Sequence, residues 1–309
     1  MRGAAARARV PATSANLGPA FDCAAVAVDL HLTVESEPLA ERVFQVDYRG
    51  PEAESVPLDG SNLICRAIAE FCSQAGVAVD GLRLRVESDI PIGVGLGSSA
   101  AAIVAGLLIG QQLAEVPVDA PKLLALATSL EGHPDNVAAA LLGGLVVAAQ
   151  IGSQVVSRRI DVPTDLRFVV VTPKQPMPTE LARAALPEQY PRADVVENLQ
   201  RVALLTACVF SGDFDLWPQL FADRLHQPQR ARLIPGLSQC LELEHPDLLG
   251  VFLSGAGSSV TAIARHAGDA IAELLRARFQ AVGVASECRV LRAANLGGLA
   301  SIPGPAQQL

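Results

Sequence analysis

Residues 91–101 read Pro-Ile-Gly-Val-Gly-Leu-Gly-Ser-Ser-Ala-Ala, and no other segment constrains the fold of this chain as tightly. They follow a strand-like run and open a stretch without a charged side chain that lasts to Ala114. Glycines at 93, 95 and 97 let the backbone take positive φ and approach a ligand closely, so successive N–H groups point into one concavity. A helix beginning directly behind them adds unpaired N–H donors and a partial positive charge. Together these make a phosphate cradle that needs no charged side chain. The competing reading is a tight strand-to-helix connection whose glycines serve packing. The paired serines and the long apolar helix favour the anion.

Other glycine loops fit less well. A Walker A loop ends in Gly-Lys-Ser/Thr, yet both lysines of the chain, Lys122 and Lys174, lie elsewhere. A dinucleotide fingerprint counted from Gly93 places Ser98 where its last glycine belongs, and it should open the chain rather than follow some 90 residues. Ser98 and Ser99 keep two readings: a hydroxyl that caps the helix, or one that coordinates Mg²⁺. The uncharged run 90–114 is not a membrane span. Pro91 and the loop glycines break its first half, leaving less than the ~20 apolar residues a span requires.

Period-two alternation predicts strands at 26–35 and 82–90. Ile64, Ile68 and Phe71 share one face of a helix over 61–75, capped by Ser61 or Asn62. Helices are expected at 100–113 and 121–130, with a third capped by Asp135 or Asn136 and ending at Gly143 and Gly144. Strands follow at 145–150, 155–162, 167–172, 249–253 and 287–293, and helices at 194–211, 215–225 and 267–281. A polar, proline-bearing stretch near 162–165 reads as a boundary, dividing the chain into domains 1–162 and 163–309. Without regular β-α alternation the expected class is α+β.

Composition narrows the function. A net charge of −8 excludes a protein that coats nucleic acid, which needs a basic surface. Arginine supplies nearly all positive charge, and its planar guanidinium suits a carboxylate ligand. Six scattered cysteines, Cys23, Cys65, Cys72, Cys208, Cys240 and Cys288, form no C-x-x-C pair, so buried thiols in a reducing cytoplasm are expected. The N-terminus carries arginines with no long aliphatic run behind them, so no secretory leader is expected.

The segment Pro91, Ile92, Gly93, Val94, Gly95, Leu96, Gly97, Ser98, Ser99, Ala100, Ala101 resembles the central, ATP-phosphate-binding motif of the GHMP kinases, which include galactokinases, homoserine kinases and mevalonate kinases. Two further motifs fall in the order of that family: residues 10–22 near the N-terminus and the glycine-rich 252–260 near the C-terminus. The resemblance implies a two-domain fold, the first half like the second domain of ribosomal protein S5 and the second half ferredoxin-like. It implies ATP and Mg²⁺ as cofactors, a small-molecule substrate, no nucleic-acid or membrane partner, a cytoplasmic location and a homodimer.

Within the family, Pro-Ala-Thr-Ser-Ala-Asn-Leu-Gly-Pro-Ala-Phe-Asp over 11–22 and Glu-Gly-His-Pro-Asp-Asn over 131–136 resemble the homoserine-kinase branch. Carried over residue by residue, Asn16 and Asp22 would hold the amino end of homoserine, His133 and Asn136 would line its pocket, and Arg183 and Arg230 would take its carboxylate. Each has a bland counterpart: turn residues for Asn16 and Asp22, a proline turn with a capping Asp135, and a helix cap for Thr179. A zinc reading of His133 lacks a second histidine at ligand spacing. Thr179 and Arg183 lie four apart and share a helix face. Glu131 with Ser98 or Ser99 would hold Mg²⁺. Arg232 is read as a solvated structural residue. Asn136 stands where relatives of the mevalonate type have an aspartate, so the reaction is expected to run without a strong side-chain base, the γ-phosphate taking the proton. The alternatives are another small-molecule kinase of the family, of the mevalonate or diphosphocytidyl-methylerythritol type, and a non-catalytic sensor of ATP or an amino acid.

Overall fold

The protein is described by a computed structural model covering residues 5–302, apart from Asp80, Ser153 and Pro176. The first four positions of the arginine-bearing N-terminus lie outside the described residues.

The first sheet is built on one long strand, β2 (Ala24–Leu39), which pairs along its length with β1 (Ala6–Ala15) on one side. On the other side its ends diverge. Residues 32–39 pair with β4 (Gly81–Ser88), and residues 24–26 pair with β5 (Leu145–Ile151). The outer positions belong to β3 (Phe44–Arg49), parallel to β4, and to β6 (Gln154–Ile160). Strand β1 was not expected from sequence. Its burial nevertheless alternates, with Ala6, Ala8 and Val10 inside and Arg7 and Arg9 outside. The arginines drew attention away from a period-two pattern built mostly on alanine, a poor strand former.

Helices α1 (Leu63–Gln74), α2 (Ser98–Ala114), α3 (Ala120–Glu131) and α4 (Pro134–Leu142) complete the first half. Asn62 caps α1 by accepting from the Ile64 N–H at 2.9 Å, and Asp119 caps α3 at the Lys122 N–H at 3.1 Å. Helix α2 is buried nearly all round, as an apolar helix without a polar face must be. The expected cap of α4 is corrected: Pro134 starts the helix, and neither Asp135 nor Asn136 occupies the cap position. Proline fits the first turn because its missing N–H would be unpaired there anyway.

The second sheet is antiparallel in the order β10-β7-β9-β8, from β7 (Arg167–Pro173), β8 (Leu248–Leu253), β9 (Val260–Ala264) and β10 (Ser286–Leu291). Counted along the chain this is 4-1-3-2, with helices between the first and second strands and between the third and fourth, the ferredoxin-like arrangement. The intervening helices are α5 (Thr179–Ala184), α6 (Arg192–Ser211), α7 (Gln227–Arg230), α8 (Leu237–Leu241) and α9 (Gly268–Ala281).

Alternate residues of this sheet enter different cores, because successive side chains point to opposite faces. Val169, Val171, Leu253 and Ala262 pack with Ile271, Leu275 and Phe279 of α9. Phe168, Val170, Phe252 and Ile263 join the larger cluster that contains the first sheet and α2. The second sheet is therefore covered on both faces, and one continuous core underlies both sheets.

The expected helix over 215–225 does not form. One turn of 3-10 helix at Trp217–Gln219 stands there instead. Asp223 then takes the N–H groups of Leu225, His226 and Gln227 at 2.9, 2.8 and 2.6 Å. A side chain that competes for backbone donors in this way ends one direction of the chain and starts another. Among the described residues no helix is long and apolar enough to cross a membrane.

Candidate active site

The three glycine-bearing motifs meet between the two sheets. The Thr13 N–H donates to the Leu96 carbonyl at 3.1 Å, and the Ser259 N–H to the Val94 carbonyl at 3.0 Å. Ser254 Oγ donates to the Gly95 carbonyl at 2.6 Å, and the Met177 N–H reaches the Gly93 carbonyl at 3.4 Å. Every carbonyl from Gly93 to Leu96 is thus turned back onto the protein. Among the described residues, no backbone N–H between 93 and 99 donates to a protein group. Gly93, Gly95 and Gly97 hold φ of 72°, 84° and 68°, the left-handed region that turns successive amides one way.

Two of these glycines are fixed by their neighbours as well. A Cβ on Gly95 would lie 2.1 Å from the Ser254 carbonyl oxygen, and one on Gly97 would lie 1.9 Å from Thr13 Oγ1. Gly97 occupies the N-cap position of α2 and leaves the helix without a side-chain cap. The capping reading of Ser98 and Ser99 is therefore excluded.

The amides open onto a cavity of about 400 Å³. It is lined by residues of the loop, by Tyr48 and residues 55–57, and by Asn16, Asp22, Glu131, His133, Asp135, Asn136, Thr179, Arg183 and Arg230. Ser99 Oγ donates to Glu131 Oε1 at 2.6 Å. Burial raises the pKa of Glu131. The Ser99 hydrogen bond and the charges of His133 and Arg183 only partly oppose that rise. A partly buried carboxylate that, among the described residues, has a single hydroxyl donor is a poor resting state for an anion. A small divalent cation would satisfy it, so this oxygen pair fits Mg²⁺.

His133 Nδ1 meets Asp135 Oδ1 at 2.6 Å. Burial disfavours the charged ring, but the bond and charge of Asp135, with Glu131 and Asp22, outweigh it and raise the pKa of His133. Asp135 was read as a turn or cap residue. It instead supports the His133 ring and also accepts from the Asn136 N–H at 2.7 Å. Asp22, His133 and Asp135 bring potential ligand atoms within 4.8 Å of one another. Asp22 also bonds Arg183 and Asp135 also bonds His133, so two members of this trio already carry polar partners. Asn136 Oδ1 accepts from Thr13 Oγ1 at 2.7 Å.

Arg183 grips Asp22 through two parallel bonds of 3.0 and 2.9 Å. The sequence placed these residues on opposite ends of one ligand; the structure shows them joined. Asn16 holds φ of 75° and is committed on both sides. Its Nδ2 donates to the Gly255 carbonyl at 2.8 Å, and its Oδ1 accepts from the Asp22 N–H at 3.1 Å. Thr179 is the first residue of α5 and makes no cap bond; it lines the cavity on the same helix as Arg183. Arg232 is exposed.

Arg230 is 1% exposed. It donates through Nε to the Ala182 carbonyl at 3.2 Å, and through one terminal nitrogen to His226 Nδ1 at 3.1 Å and the Gly255 carbonyl at 3.0 Å. Its carbon lies 5.3 Å from the centre of the Phe21 ring, which also faces Arg183 at 5.7 Å. Burial, then the charge of Arg183, depresses its pKa to about 10, so it stays charged at neutral pH. Sequence reasoning passed over Thr13, Phe21 and His226. Their roles arise from contacts across more than a hundred residues or from ring geometry, which no local pattern displays.

Sequence models of one family match both halves of the chain: GHMP kinases N terminal domain over residues 62–144, and GHMP kinases C terminal over residues 196–281. The homoserine kinase of Solibacter usitatus is 38% identical over 281 residues, 90% of this chain and 91% of that protein. The homoserine kinase of Moorella thermoacetica is 37% identical over 294 residues, covering 94% and 98%. A crystal structure of homoserine kinase from Cytophaga hutchinsonii superposes with a TM-score of 0.85 at 26% identity, covering 95% of this chain and 96% of that one.

Proposed function

The chain belongs to the GHMP kinase family, and from that premise we propose that it transfers the γ-phosphate of ATP to the side-chain hydroxyl of L-homoserine. The product is O-phospho-L-homoserine, an intermediate of threonine biosynthesis. Kinases of this family use ATP and act on a hydroxyl. The observation that carries the substrate assignment is one cavity lined both by the loop with its unpaired amides and by Asp22, Arg183 and Arg230.

The amides of 93–99 and the uncapped start of α2 bind the triphosphate as an anion. Ser99 and Glu131, with Ser98 beside them, would hold Mg²⁺. When bound, the ion neutralises charge on the phosphate oxygens. Transfer to an alcohol needs positioning and fixed dipoles more than covalent help.

A zwitterion suits the charged side chains of the same cavity. Its ammonium takes Asp22 and its carboxylate takes Arg183 and Arg230, so one internal ion pair is exchanged for two with the ligand and the net charge is unchanged. Asn16 fixes the Asp22 backbone and the Gly255 carbonyl, and its second N–H is what it offers the ligand. The Asn136 carboxamide and Thr179 orient the hydroxyl. The Asp135 bond fixes the His133 ring, which orients the substrate, and the hydroxyl proton leaves with the transferred phosphoryl group. A cytoplasmic homodimer belongs to the same reading, with sedimentation velocity as its test.

Mass spectrometry of the purified protein with L-homoserine and Mg-ATP should show O-phosphohomoserine accumulating with ADP. Turnover of mevalonate or a sugar without turnover of homoserine would transfer the assignment to another branch of the family. Nucleotide binding without any turnover would favour a sensor.

A further inference from the structure

We infer that His226 is a positioning residue that presents Arg230 to the ligand's carboxylate. The inference rests on the proposed function and adds a specificity device to that site.

His226 is fully buried and does not line the cavity. The roles of its two ring nitrogens follow from their partners. An arginine nitrogen can only donate, so Nδ1, 3.1 Å from Arg230, must accept. A backbone carbonyl can only accept, so Nε2, 2.8 Å from the Gly18 oxygen, must carry the proton. The ring is therefore the neutral Nε2–H tautomer. It stacks on Phe21 at 5.1 Å and 27°, and Phe21 in turn faces Arg230. The Asp223 carboxylate, 3.5 Å from Nε2, is occupied by three backbone N–H groups and fixes the turn from which the ring projects. Burial lowers the pKa of His226 and preserves its accepting form.

The consequence concerns charge. Arg230 is held by two carbonyls and one neutral nitrogen, and no carboxylate forms an ion pair with it among the described residues. Its second terminal nitrogen makes no protein bond among them. Neutral acceptors orient a guanidinium without neutralising it. A carboxylate in place of His226 would hold Arg230 as well but would compete with the ligand's own carboxylate. The arrangement leaves a buried, oriented cation whose missing counter-ion is the ligand. A site of this kind rejects analogues that lack the matching group, because its own charge is then left unpaired.

Steady-state kinetics with L-homoserine and with its carboxamide analogue, L-homoserinamide, test this in wild type, His226→Phe and His226→Asn. Phenylalanine keeps the stacking ring but removes the acceptor. Asparagine restores an oxygen near the Nδ1 position. His226→Phe should raise the KM for homoserine about 10- to 100-fold, the value of one charge-assisted hydrogen bond. The KM for ATP should stay within about threefold, and the preference for homoserine over the amide should shrink by a similar factor. His226→Asn should recover most of that preference. Equal losses on both substrates, a matching rise in the KM for ATP, an unchanged KM for homoserine, or no recovery with asparagine would each overturn the inference. If the phenylalanine variant does not fold, His226→Leu against His226→Asn carries the same comparison. Wild-type turnover is read first. Its absence overturns the proposed function, whereas turnover with unaffected variants overturns the role of His226 alone.

Discussion

Charge in the cavity is regulated residue by residue. Asp135 raises the pKa of His133 against the cost of burial. Its folded pKa is raised, so its contribution to stability is full below the ordinary histidine value and is lost as pH rises through the raised one. In Asp135→Asn the His133 resonance should titrate lower than in wild type by NMR. The destabilisation caused by that substitution should be larger near pH 6 than near about pH 9. If turnover is abolished in Asp135→Asn while ATP and homoserine still bind, Asp135 is the missing base and the proposed fate of the proton is wrong. Glu131 shows the opposite tension, a carboxylate whose pKa is pushed up by burial while, among the described residues, only Ser99 donates to it. Glu131→Gln should weaken Mg²⁺ binding in the ATP complex and lower kcat by about 100-fold, with the KM for homoserine little changed. Isothermal titration with Mg²⁺ and steady-state rates would check both.

The phosphate loop acts as an element because its carbonyls are tied down from three directions. Gly95 is needed for space as well as for φ, since an added methyl would meet the Ser254 carbonyl at 2.1 Å. Gly95→Ala should destabilise by about 2–4 kcal/mol and remove nucleotide binding. Gly93 has the same sign of φ, but nothing lies within 4 Å of its would-be Cβ. Gly93→Ala should cost only about 1–2 kcal/mol, the strain of a left-handed residue. Urea unfolding of the two variants separates steric from conformational cost, and equal losses would mean the clash relaxes. The loop and α2 were legible in the sequence, since spaced glycines and an uncharged apolar run are local signals. The segment 215–225 was misread for the same reason. Trp217, Leu220 and Phe221 are spaced as on a helix, yet they fill the core from a single turn and a bend that Asp223 stabilises.

On the scale of the molecule, the two sheets share one core. Trp217, the sole tryptophan, sits in the cluster that spans them and packs edge-on against Phe214 at 4.7 Å and Phe221 at 5.6 Å. Its fluorescence should therefore change with the same urea midpoint as the far-UV circular dichroism, as a cooperative unit requires. Two separated midpoints would show that the halves unfold independently. The division at 162 and 163 is a proposal to which that experiment speaks directly. Buried hydroxyls add to the joint: Ser14 bonds Ser254 at 2.8 Å and Thr261 at 2.9 Å, linking β1 to the motif that also grips the glycine loop.

The amino-acid order alone determined the glycine loop, the buried helix behind it and the α+β class, and it supplied the residues proposed for a zwitterionic ligand. Each of these depends on spacing within a few turns of chain or on motifs long enough to be distinctive. Only the tertiary structure decided which groups are already spent on one another. Asp22 closes on Arg183 and Asn16 on the Gly255 carbonyl, while among the described residues Arg230 is left without a counter-ion. Those pairings join residues from 25 to 239 positions apart, and whether a charge is free or satisfied depends on what folding brings within about 3 Å of it.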